Sequence, residues 1–281
     1  MRSTLCIDLR DPGVLAALAG AERPDVARIE VIVGPETPAL APPGVTPALF
    51  ALCNGPLPVT IVPWFWATGA VPPPSPAYRR AKRALDLVAG ALLLALAAPL
   101  LAALALLIRL ESPGPAFYRQ QRVGRNGRCF AMLKLRTMRA GADAQLVELM
   151  QPLEEEAIRR GPAFVYKLPS DPRITRLGRW LRRTSLDELP QFLNVVRGEM
   201  SLVGPRPELP EVLVHYEPWQ LIWLAAPPGL TGWWQVHGRS IHPRHLSTDY
   251  DRYYIEHASF LLDLRILART IGVVIRGTGA F

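Results

Sequence analysis

Two adjacent carboxylates, Asp187 and Glu188, lie in the sequence between two groups of arginines. Arg182 precedes the pair and Arg206 follows it, which suits a site where a nucleophilic or metal-binding carboxylate meets a phosphate held by guanidinium groups. A structural interpretation is also open, because Ser185 followed three residues later by Glu188 has the spacing of a helix capping box. Acids in a first helical turn are favoured by the helix dipole whether or not they do chemistry. This stretch alone does not choose between the two interpretations.

The composition narrows the class of partner. The 281 residues are enough for one large domain, or for a domain with an appendage, and 49% hydrophobic residues are compatible with a sizeable core. A formal net charge of +8 indicates an anionic partner, which could be nucleic acid, an acidic membrane surface or a phosphorylated substrate. The three cysteines are widely spread, which disfavours a disulfide framework and fits a reducing cytosol. Acidic residues near the start argue against a secretory signal, so we expect a cytoplasmic N-terminus.

An apolar run covers residues 87–108 and is long enough for a membrane helix, which we expect over residues 84–109. A fully buried helix of a large soluble protein is the alternative. Pro99 lies near the middle of the run, where it removes a helical hydrogen bond and bends the helix. Both flanks are basic, and the positive-inside rule keeps them in the cytoplasm. The sequence therefore predicts a re-entrant helix that enters the membrane, breaks at Pro99 and returns to the same side.

The residues before this run have the pattern of a separate small module. Short apolar segments at 29–33 and 59–62 are bounded by Gly or Pro and predict strands. The prolines of residues 72–76 predict a stiff linker and a domain boundary. We therefore expect a small α/β appendage over residues 1–77 and the main domain over residues 78–281.

A hairpin and two amphipathic helices are predicted after the apolar run. Asn126-Gly127 is a favoured turn dipeptide between two segments of strand character, and the hairpin carries Lys134 and Arg136. From Ile174 onward, apolar residues recur on one helical face while arginines occupy the rest, which predicts a basic helix lying on a membrane surface. The closing apolar run at 260–275 contains three charges and reads as an amphipathic interfacial or core helix. The predicted fold is a membrane-associated α+β domain built around a small β-hairpin.

Seven motifs follow one another from about residue 78 to near the C-terminus: KRALD (82–86), SPGPAFYRQ (112–120), KLRTM (134–138), DPRIT (171–175), TSLDELP (184–190), MSLVGPRP (200–207) and PGLTG (228–232). With these motifs in this order, the chain resembles the bacterial sugar transferase family, the monotopic polyprenyl-phosphate phosphoglycosyltransferases. The ordered set is far more specific than any single motif. Two residues depart from the family pattern: Ala98 replaces the Ser before Pro99, and His237 replaces the Asn of a Gln-Val-Asn-Gly-Arg motif.

The resemblance implies an enzyme that transfers a sugar-1-phosphate from a UDP-sugar to a polyprenyl phosphate, such as undecaprenyl phosphate, through a covalent aspartyl-phosphosugar intermediate with release of UMP. Asp187 would be the nucleophile, and Asp187 and Glu188 would hold Mg²⁺. The resemblance also implies contact with membrane lipid at the cytoplasmic face of the bacterial inner membrane, and a role in initiating exopolysaccharide, O-antigen or glycoconjugate assembly. A homo-oligomer is compatible with it. The implied substrate-binding residues are Lys134, Arg136, Arg182, Arg206 and Arg239.

Two alternatives remain open from the sequence. A non-catalytic membrane-bound interaction protein could keep the same fold, with Asp187 and Glu188 only capping a helix. A basic nucleic-acid binder would fit the charge, but the chain has no helix-turn-helix, zinc-finger or single-strand-binding signature, so we expect no nucleic-acid partner.

Overall fold

The computed structural model describes residues 3–8, 26–33, 59–63, 74–142, 171–210, 216, 218–237 and 248–276, and within them it combines helices with strands. The predicted mixed character of the fold is therefore confirmed. The elements in chain order are β1 (Ser3–Asp8), β2 (Val26–Val33), β3 (Val59–Pro63), α1 (Pro76–Glu111), β4 (Phe117–Val123), β5 (Cys129–Leu135), α2 (Arg176–Thr184), α3 (Gln191–Arg197), β6 (Ser201–Val203), β7 (Gly229–Thr231), α4 (Trp233–His237), α5 (Thr248–Glu256) and α6 (Phe260–Arg276).

The N-terminal strands form a parallel sheet in the order β1-β2-β3. The predicted strands at 29–33 and 59–62 fall within β2 and β3 and are confirmed. Strand β1 has no comparable apolar run and is found only through its pairing with β2.

This sheet packs against the hairpin formed by β4 and β5. Ile29 and Val59 are 5% and 3% exposed and belong to the same buried cluster as Val123 of the hairpin. Thr60 also forms a bridge with Arg128 in the hairpin turn. The N-terminal module therefore shares its core with the main domain, while a boundary at the proline-rich stretch stays a prediction.

Helix α1 begins inside that proline-rich stretch. The Ser75 side chain accepts a hydrogen bond from the Tyr78 backbone N–H at 3.2 Å. Pro76 is the first helical residue, a position whose backbone N–H would have no partner within the helix. The helix runs for 36 residues, and Pro99 lies within it. At 1.5 Å per residue such a helix is about 54 Å long. Within the described residues, α1 is the one helix long and apolar enough to cross a membrane.

One face of α1 packs against the protein along most of its length, and the opposite face is exposed and apolar. The buried residues are Lys82, Asp86, Gly90, Leu101, Leu104 and Ile108. The exposed apolar side chains include Leu87, Val88, Leu92, Leu96, Leu100, Leu106 and Leu110. A contiguous apolar surface of this extent is typical of a membrane-interacting protein. The structure is therefore consistent with membrane association through α1.

Strands β4 and β5 form the predicted antiparallel hairpin. Asn126 and Gly127 at its tip have positive φ values of 57° and 70°, the conformation for which this dipeptide is favoured. In the register of the two strands, Lys134 lies opposite Tyr118. Lys134 thus lies near the C-terminal end of β5.

Helix α2 has the predicted apolar face, but this face is packed inside the protein. Leu181 is fully buried and Leu177 partly buried in a cluster with Leu104 of α1 and Leu135 of β5. The expectation that this apolar face lies on a membrane surface is therefore wrong, because α1 and the hairpin cover it. On α6, by contrast, apolar side chains remain exposed, as the interfacial interpretation requires; they are Phe260, Leu261, Leu264 and Ile271.

Strands β6 and β7 pair in parallel and form a small sheet, and the chain continues from β6 into residues 204–207. Glycines allow the close approach of the two chain segments. A Cβ atom on Gly204 would lie 2.2 Å from the carbonyl oxygen of Pro227, and one on Gly229 would lie 2.1 Å from the Gly204 nitrogen. The segment with Arg206 is thus held by backbone contacts that a larger residue would break.

Candidate active site

The acid pair lies in a short turn between α2 and α3. Ser185 adopts the left-handed conformation with a φ of 56°, and residues Leu186–Glu188 form a 3-10 turn. The Ser185 side chain makes no capping hydrogen bond there. Instead, Ser185 ends α2, and its backbone N–H donates to the Arg182 carbonyl oxygen at 3.2 Å. The capping-box interpretation is therefore wrong.

Two cations hold the Glu188 carboxylate. Arg206 donates from Nη2 to Oε1 at 2.9 Å, and Lys134 Nζ lies 3.9 Å from the same oxygen. All three side chains are mostly shielded from water, which makes the pairing stronger than one at an open surface. The structure thus brings Lys134, Glu188 and Arg206 together, as predicted for the site.

Asp187 is 8% exposed and lies next to another carboxylate. Burial raises the pKa of Asp187, and the charge of Glu188 raises it further, while Lys134 and Arg182 lower it. A buried carboxylate with an acidic neighbour is poorly solvated. Such a group is better suited to attack an electrophile or to bind a cation than a hydrated carboxylate would be.

Burial lowers the pKa of Lys134 to about 8, against an opposing effect of Glu188. The guanidinium groups of Arg122 and Arg206 lower it further. A lysine of this kind changes charge close to neutral pH. Lys134 can therefore neutralise an incoming phosphate while remaining sensitive to a modest rise in pH.

Arg182 approaches Asp187 from α2 and lies close enough to lower the pKa of that carboxyl group. Its Nε donates to the Thr137 hydroxyl at 2.9 Å, just after the end of β5. The two segments meet closely because residue 178 is a glycine: a Cβ atom there would lie 2.0 Å from the Thr137 carbonyl oxygen. Gly178 thus determines how near Arg182 comes to the acid pair.

Arg136 has a different environment from the one expected for substrate binding. Its guanidinium donates to the carbonyl oxygens of Ser112 and Pro113 at 2.6 and 2.8 Å, and to the Ser112 hydroxyl at 2.9 Å. A fourth bond reaches the Ile108 carbonyl oxygen at 3.4 Å. These bonds satisfy carbonyl groups at the C-terminal end of α1. The structure therefore assigns Arg136 to the end of that helix and not to the acid pair.

Two further predicted positions stay predictions. Arg239 lies outside the described residues. Pro99 lies inside α1, whose helical residues continue on both sides of it, so a break at Pro99 stays a prediction.

Asn194 supports the site but has little signal in the sequence. It is fully buried, and its Nδ2 donates to the Ala131 carbonyl oxygen at 2.8 Å, while the Leu133 N–H donates to its Oδ1 at 3.0 Å. These bonds fix β5 immediately before Lys134. The one signal that points to it is an amide flanked by apolar residues in the helix sequence FLNVV.

The acid pair fits Mg²⁺ in its chemistry. The described residues contain no group of three or more acids, histidines or cysteines, so a metal there would have two carboxylates, from Asp187 and Glu188. Mg²⁺ commonly binds through one or two carboxylates together with substrate phosphates and water. Burial and the charge of Glu188 raise the pKa of Asp187, and a bound cation would lower it.

The motifs and the geometry agree with a comparison against known families. The profile of the bacterial sugar transferase family matches residues 77–277. The chain belongs to the bacterial sugar transferase family. This family consists of transferases, and the match covers the whole site described above.

Several named bacterial proteins are similar to this chain. The exopolysaccharide production protein ExoY of Rhizobium meliloti is 39% identical over 76% of this chain and 92% of its own length. The undecaprenyl-phosphate galactose phosphotransferase of Salmonella typhimurium is 41% identical over 71% of this chain and 41% of its own length. The UDP-glucose:undecaprenyl-phosphate glucose-1-phosphate transferase of Caulobacter vibrioides is 41% identical over 71% of this chain and 72% of its own length. The chain thus spans most of ExoY but about two fifths of the Salmonella relative.

Proposed function

We propose that this protein transfers a sugar-1-phosphate from a UDP-sugar to undecaprenyl phosphate or a similar polyprenyl phosphate, with release of UMP. The observation that carries the proposal is the buried Asp187 beside Glu188, faced by Lys134, Arg182 and Arg206. Relatives named as undecaprenyl-phosphate sugar-phosphate transferases support the two substrates, and the ExoY relative supports a role in exopolysaccharide production.

In the first step, an Asp187 carboxylate oxygen attacks the sugar-bearing phosphorus of the UDP-sugar. A new P–O bond forms to Asp187, and the bond from that phosphorus to the bridging oxygen breaks. UMP leaves with the electron pair of the broken bond. The product on the protein is an aspartyl-phosphosugar.

The basic residues act on the charge that develops during this step. Arg206 and Lys134 lie on the Glu188 side of the pair, and Arg182 lies on the Asp187 side. Phosphoryl transfer depends mainly on positioning and on neutralising the phosphate oxygens, which these cations provide. Asp187 and Glu188 would hold Mg²⁺, which supplies further charge neutralisation for the diphosphate when bound.

In the second step, a phosphate oxygen of the polyprenyl phosphate attacks the phosphorus of the aspartyl-phosphosugar. The bond between phosphorus and the Asp187 oxygen breaks, which restores the carboxylate. The product is a polyprenyl diphosphate sugar, and every atom transferred from the UDP-sugar is accounted for.

We further propose that α1 is re-entrant and keeps this site at the cytoplasmic face of the membrane. Both halves of α1 pack on the same folded domain: Lys82 and Asp86 contact β6, while Leu104 and Ile108 pack with β5 and α2. A helix that crossed the bilayer would have to place part of this domain within the hydrocarbon core, which is about 30 Å thick, or beyond it. Contacts at both ends with one polar domain favour entry and return on one side.

The proposal is tested with the purified protein and undecaprenyl phosphate in detergent or vesicles. A panel of UDP-glucose, UDP-galactose and UDP-N-acetylgalactosamine is assayed for UMP release, since these sugars occur in the names of the relatives. We expect UMP release with at least one sugar, dependent on Asp187. No UMP with any UDP-sugar, from protein that is folded and membrane-bound, would support the non-catalytic alternative.

A second measurement tests the covalent step. The protein is mixed with the active UDP-sugar in the absence of lipid acceptor and examined by intact-protein and peptide mass spectrometry. We expect the mass of one sugar phosphate on the peptide that contains Asp187, and no such mass in Asp187→Asn. If UMP appears only after both substrates are present, the two-step order is wrong.

A further inference from the structure

A buried charged network joins α1, α5 and α6 beside β6. Asp263 of α6 is fully buried, and three groups donate to its carboxylate: Lys82 Nζ at 2.9 Å, the Tyr78 hydroxyl at 3.0 Å and the Tyr254 hydroxyl at 2.8 Å. Burial and the Asp263 charge raise the pKa of Tyr254 well above its ordinary value, so this hydroxyl remains a donor. The mechanism proposed above uses none of these residues.

The network also holds strand β6 through its backbone. Lys82 Nζ donates to the Val203 carbonyl oxygen at 2.8 Å, and the Tyr254 hydroxyl lies 3.3 Å from the same oxygen. One turn further along α1, Asp86 Oδ1 accepts from the Leu202 N–H at 2.9 Å. The first part of α1 is therefore hydrogen-bonded to two consecutive residues of β6, Leu202 and Val203.

Strand β6 leads directly to the arginine that holds Glu188. Val203 is followed by Gly204, which is locked to β7 by its N–H bond to the Thr231 carbonyl oxygen at 2.8 Å, and then by Pro205 and Arg206. The backbone between Val203 and Arg206 thus consists of one glycine bonded to β7 and one proline with a fixed φ. A shift of β6 would be passed on to the contact between Arg206 and Glu188.

We infer that Lys82 is a positioning residue for phosphoryl transfer, which acts with Asp263 and Tyr254 through β6 to place Arg206 against Glu188. The inference rests on the proposed function and extends it to residues that touch neither substrate. Packing alone does not require these charges, because apolar residues of similar volume often replace a buried ion pair without loss of stability. A lysine that bridges a carboxylate and a backbone carbonyl specifies position in a way that an apolar side chain does not.

The test is a double-mutant cycle on kcat and KM for UMP release, with Lys82→Met, Arg206→Lys and the double variant in the full-length protein. Arg206→Lys keeps the charge but loses the planar fork. We expect Lys82→Met to lower kcat about 10- to 100-fold, with KM changed much less, because a misplacement of about 1 Å in a site costs this much. In the Arg206→Lys background, the same substitution should cost much less, because the contact it positions is already impaired.

Three further variants separate positioning from general loss of structure. Tyr254→Phe keeps the ring and removes the hydroxyl contacts with Asp263, Val203 and Tyr78, and we expect a smaller loss in kcat, about 2- to 10-fold. Ile266→Val on α6 and Arg252→Met at an exposed ion pair serve as controls for the core and the surface. Both controls should retain the wild-type kcat. Tyr254→Phe also carries the test if Lys82→Met fails to fold.

The outcomes distinguish this inference from the proposed function. Coupling between Lys82 and Arg206, together with a kcat loss in Tyr254→Phe at unchanged melting temperature, supports positioning. Independent, multiplicative effects of Lys82→Met and Arg206→Lys, or full kcat in Tyr254→Phe, would overturn the inference while the transferase function stands. A wild-type protein that releases no UMP would overturn both.

Discussion

At Asp187, burial and the neighbouring Glu188 carboxylate raise the pKa of the side chain, and Lys134 and Arg182 compensate only in part. The ionised group is thus reactive and at the same time unfavourable for the folded state. The rest of the folded protein offsets this unfavourable free energy, as is common at functional sites. Activity and stability should therefore respond in opposite directions when the charge is removed.

We predict that Asp187→Asn lowers transfer by at least about 10³-fold and raises the melting temperature at pH 7. A carboxyl group whose pKa is raised by folding contributes stability below its ordinary pKa of 3.8 and loses that contribution as pH rises through the folded value. The advantage of the Asn variant should therefore be present at pH 7 and vanish near pH 4. Thermal melts at the two pH values measure it; an Asn variant less stable than wild type at pH 7 would contradict this account.

Deprotonation of Lys134 should lower the activity at basic pH. Its pKa is lowered to about 8, so above pH 8 it loses the charge that neutralises phosphate. We expect kcat/KM to fall about tenfold per pH unit above this value, since that parameter reports the free enzyme. Lys134→Arg, which stays charged, should flatten the basic limb even where its activity is lower. An unchanged basic limb in the Arg variant would assign the titration to another group.

At the scale of single elements, the contrast between Lys134 and Arg136 shows how neighbouring basic residues acquire different roles. Lys134 faces Glu188, whereas Arg136 bonds the C-terminal carbonyl groups of α1. The charge of Arg136 also suits the negative end of the helix dipole. One residue therefore serves the site, and the other fixes the helix to the hairpin.

We predict that Arg136→Met lowers the free energy of unfolding by about 2–4 kcal/mol, because several buried carbonyl groups lose a charged donor. Transfer per folded molecule should be retained. Lys134→Met is the matched comparison, and it should show the reverse, with folding retained and transfer lost. Chemical denaturation measures the stability, and UMP release on the same preparations measures the activity. A folded Arg136→Met protein without activity would show that Arg136 acts in substrate binding.

Two glycines offer a matched pair for the packing of α2. A Cβ atom on Gly178 would lie 2.0 Å from the Thr137 carbonyl oxygen, whereas one on Gly272 of α6 would meet nothing within 4 Å. We expect Gly178→Ala to destabilise the protein by about 1–3 kcal/mol and to reduce transfer, because Arg182 moves away from Asp187. Gly272→Ala should instead gain about 0.5–1 kcal/mol from its higher helix propensity. Equal effects of the two substitutions on stability would contradict the close contact at Gly178.

For the whole molecule, the decisive feature is that one face of α1 packs against the protein and the other face is apolar and exposed. The polar network at Lys82 ties its first half to β6 and α6, and the cluster around Leu104 ties its second half to the hairpin and α2. Membrane attachment and the geometry of the site are thus properties of the same helix. Re-entrance of α1 would follow from this arrangement.

We predict that both ends of α1 lie in the cytoplasm. Pro74→Cys and Pro113→Cys, each made in a chain without Cys6, Cys53 and Cys129, should be protected from a membrane-impermeant thiol reagent in intact cells and should react after lysis. Labelling of one site alone in intact cells would show that α1 crosses the membrane.

A companion variant tests the role of the proline. In a helix interior, proline costs about 3 kcal/mol relative to alanine. Pro99→Leu removes the residue that favours a bend in the run, so it should shift part of the population to a spanning helix. The same cysteine labelling, with one end newly exposed, measures that shift.

Local pattern by itself determined much of this protein. The apolar run of α1, the Asn126-Gly127 hairpin and the periodicity of α2 are all set by hydrogen bonds and side-chain spacing within one element, so neighbouring residues suffice to predict them. The ordered motifs also located the acid pair and three of its cations, Lys134, Arg182 and Arg206.

Only the tertiary structure decided what each charge does. It gave Lys134 and Arg136 different partners and excluded the capping-box role of Ser185 at the acid pair. It also buried the apolar face of α2 and paired Lys82 with Asp263, 181 positions away. The physical reason is that desolvation and charge pairing depend on which distant segments meet. A basic residue on a strand has the same local pattern whether a carboxylate, a helix end or water lies opposite it.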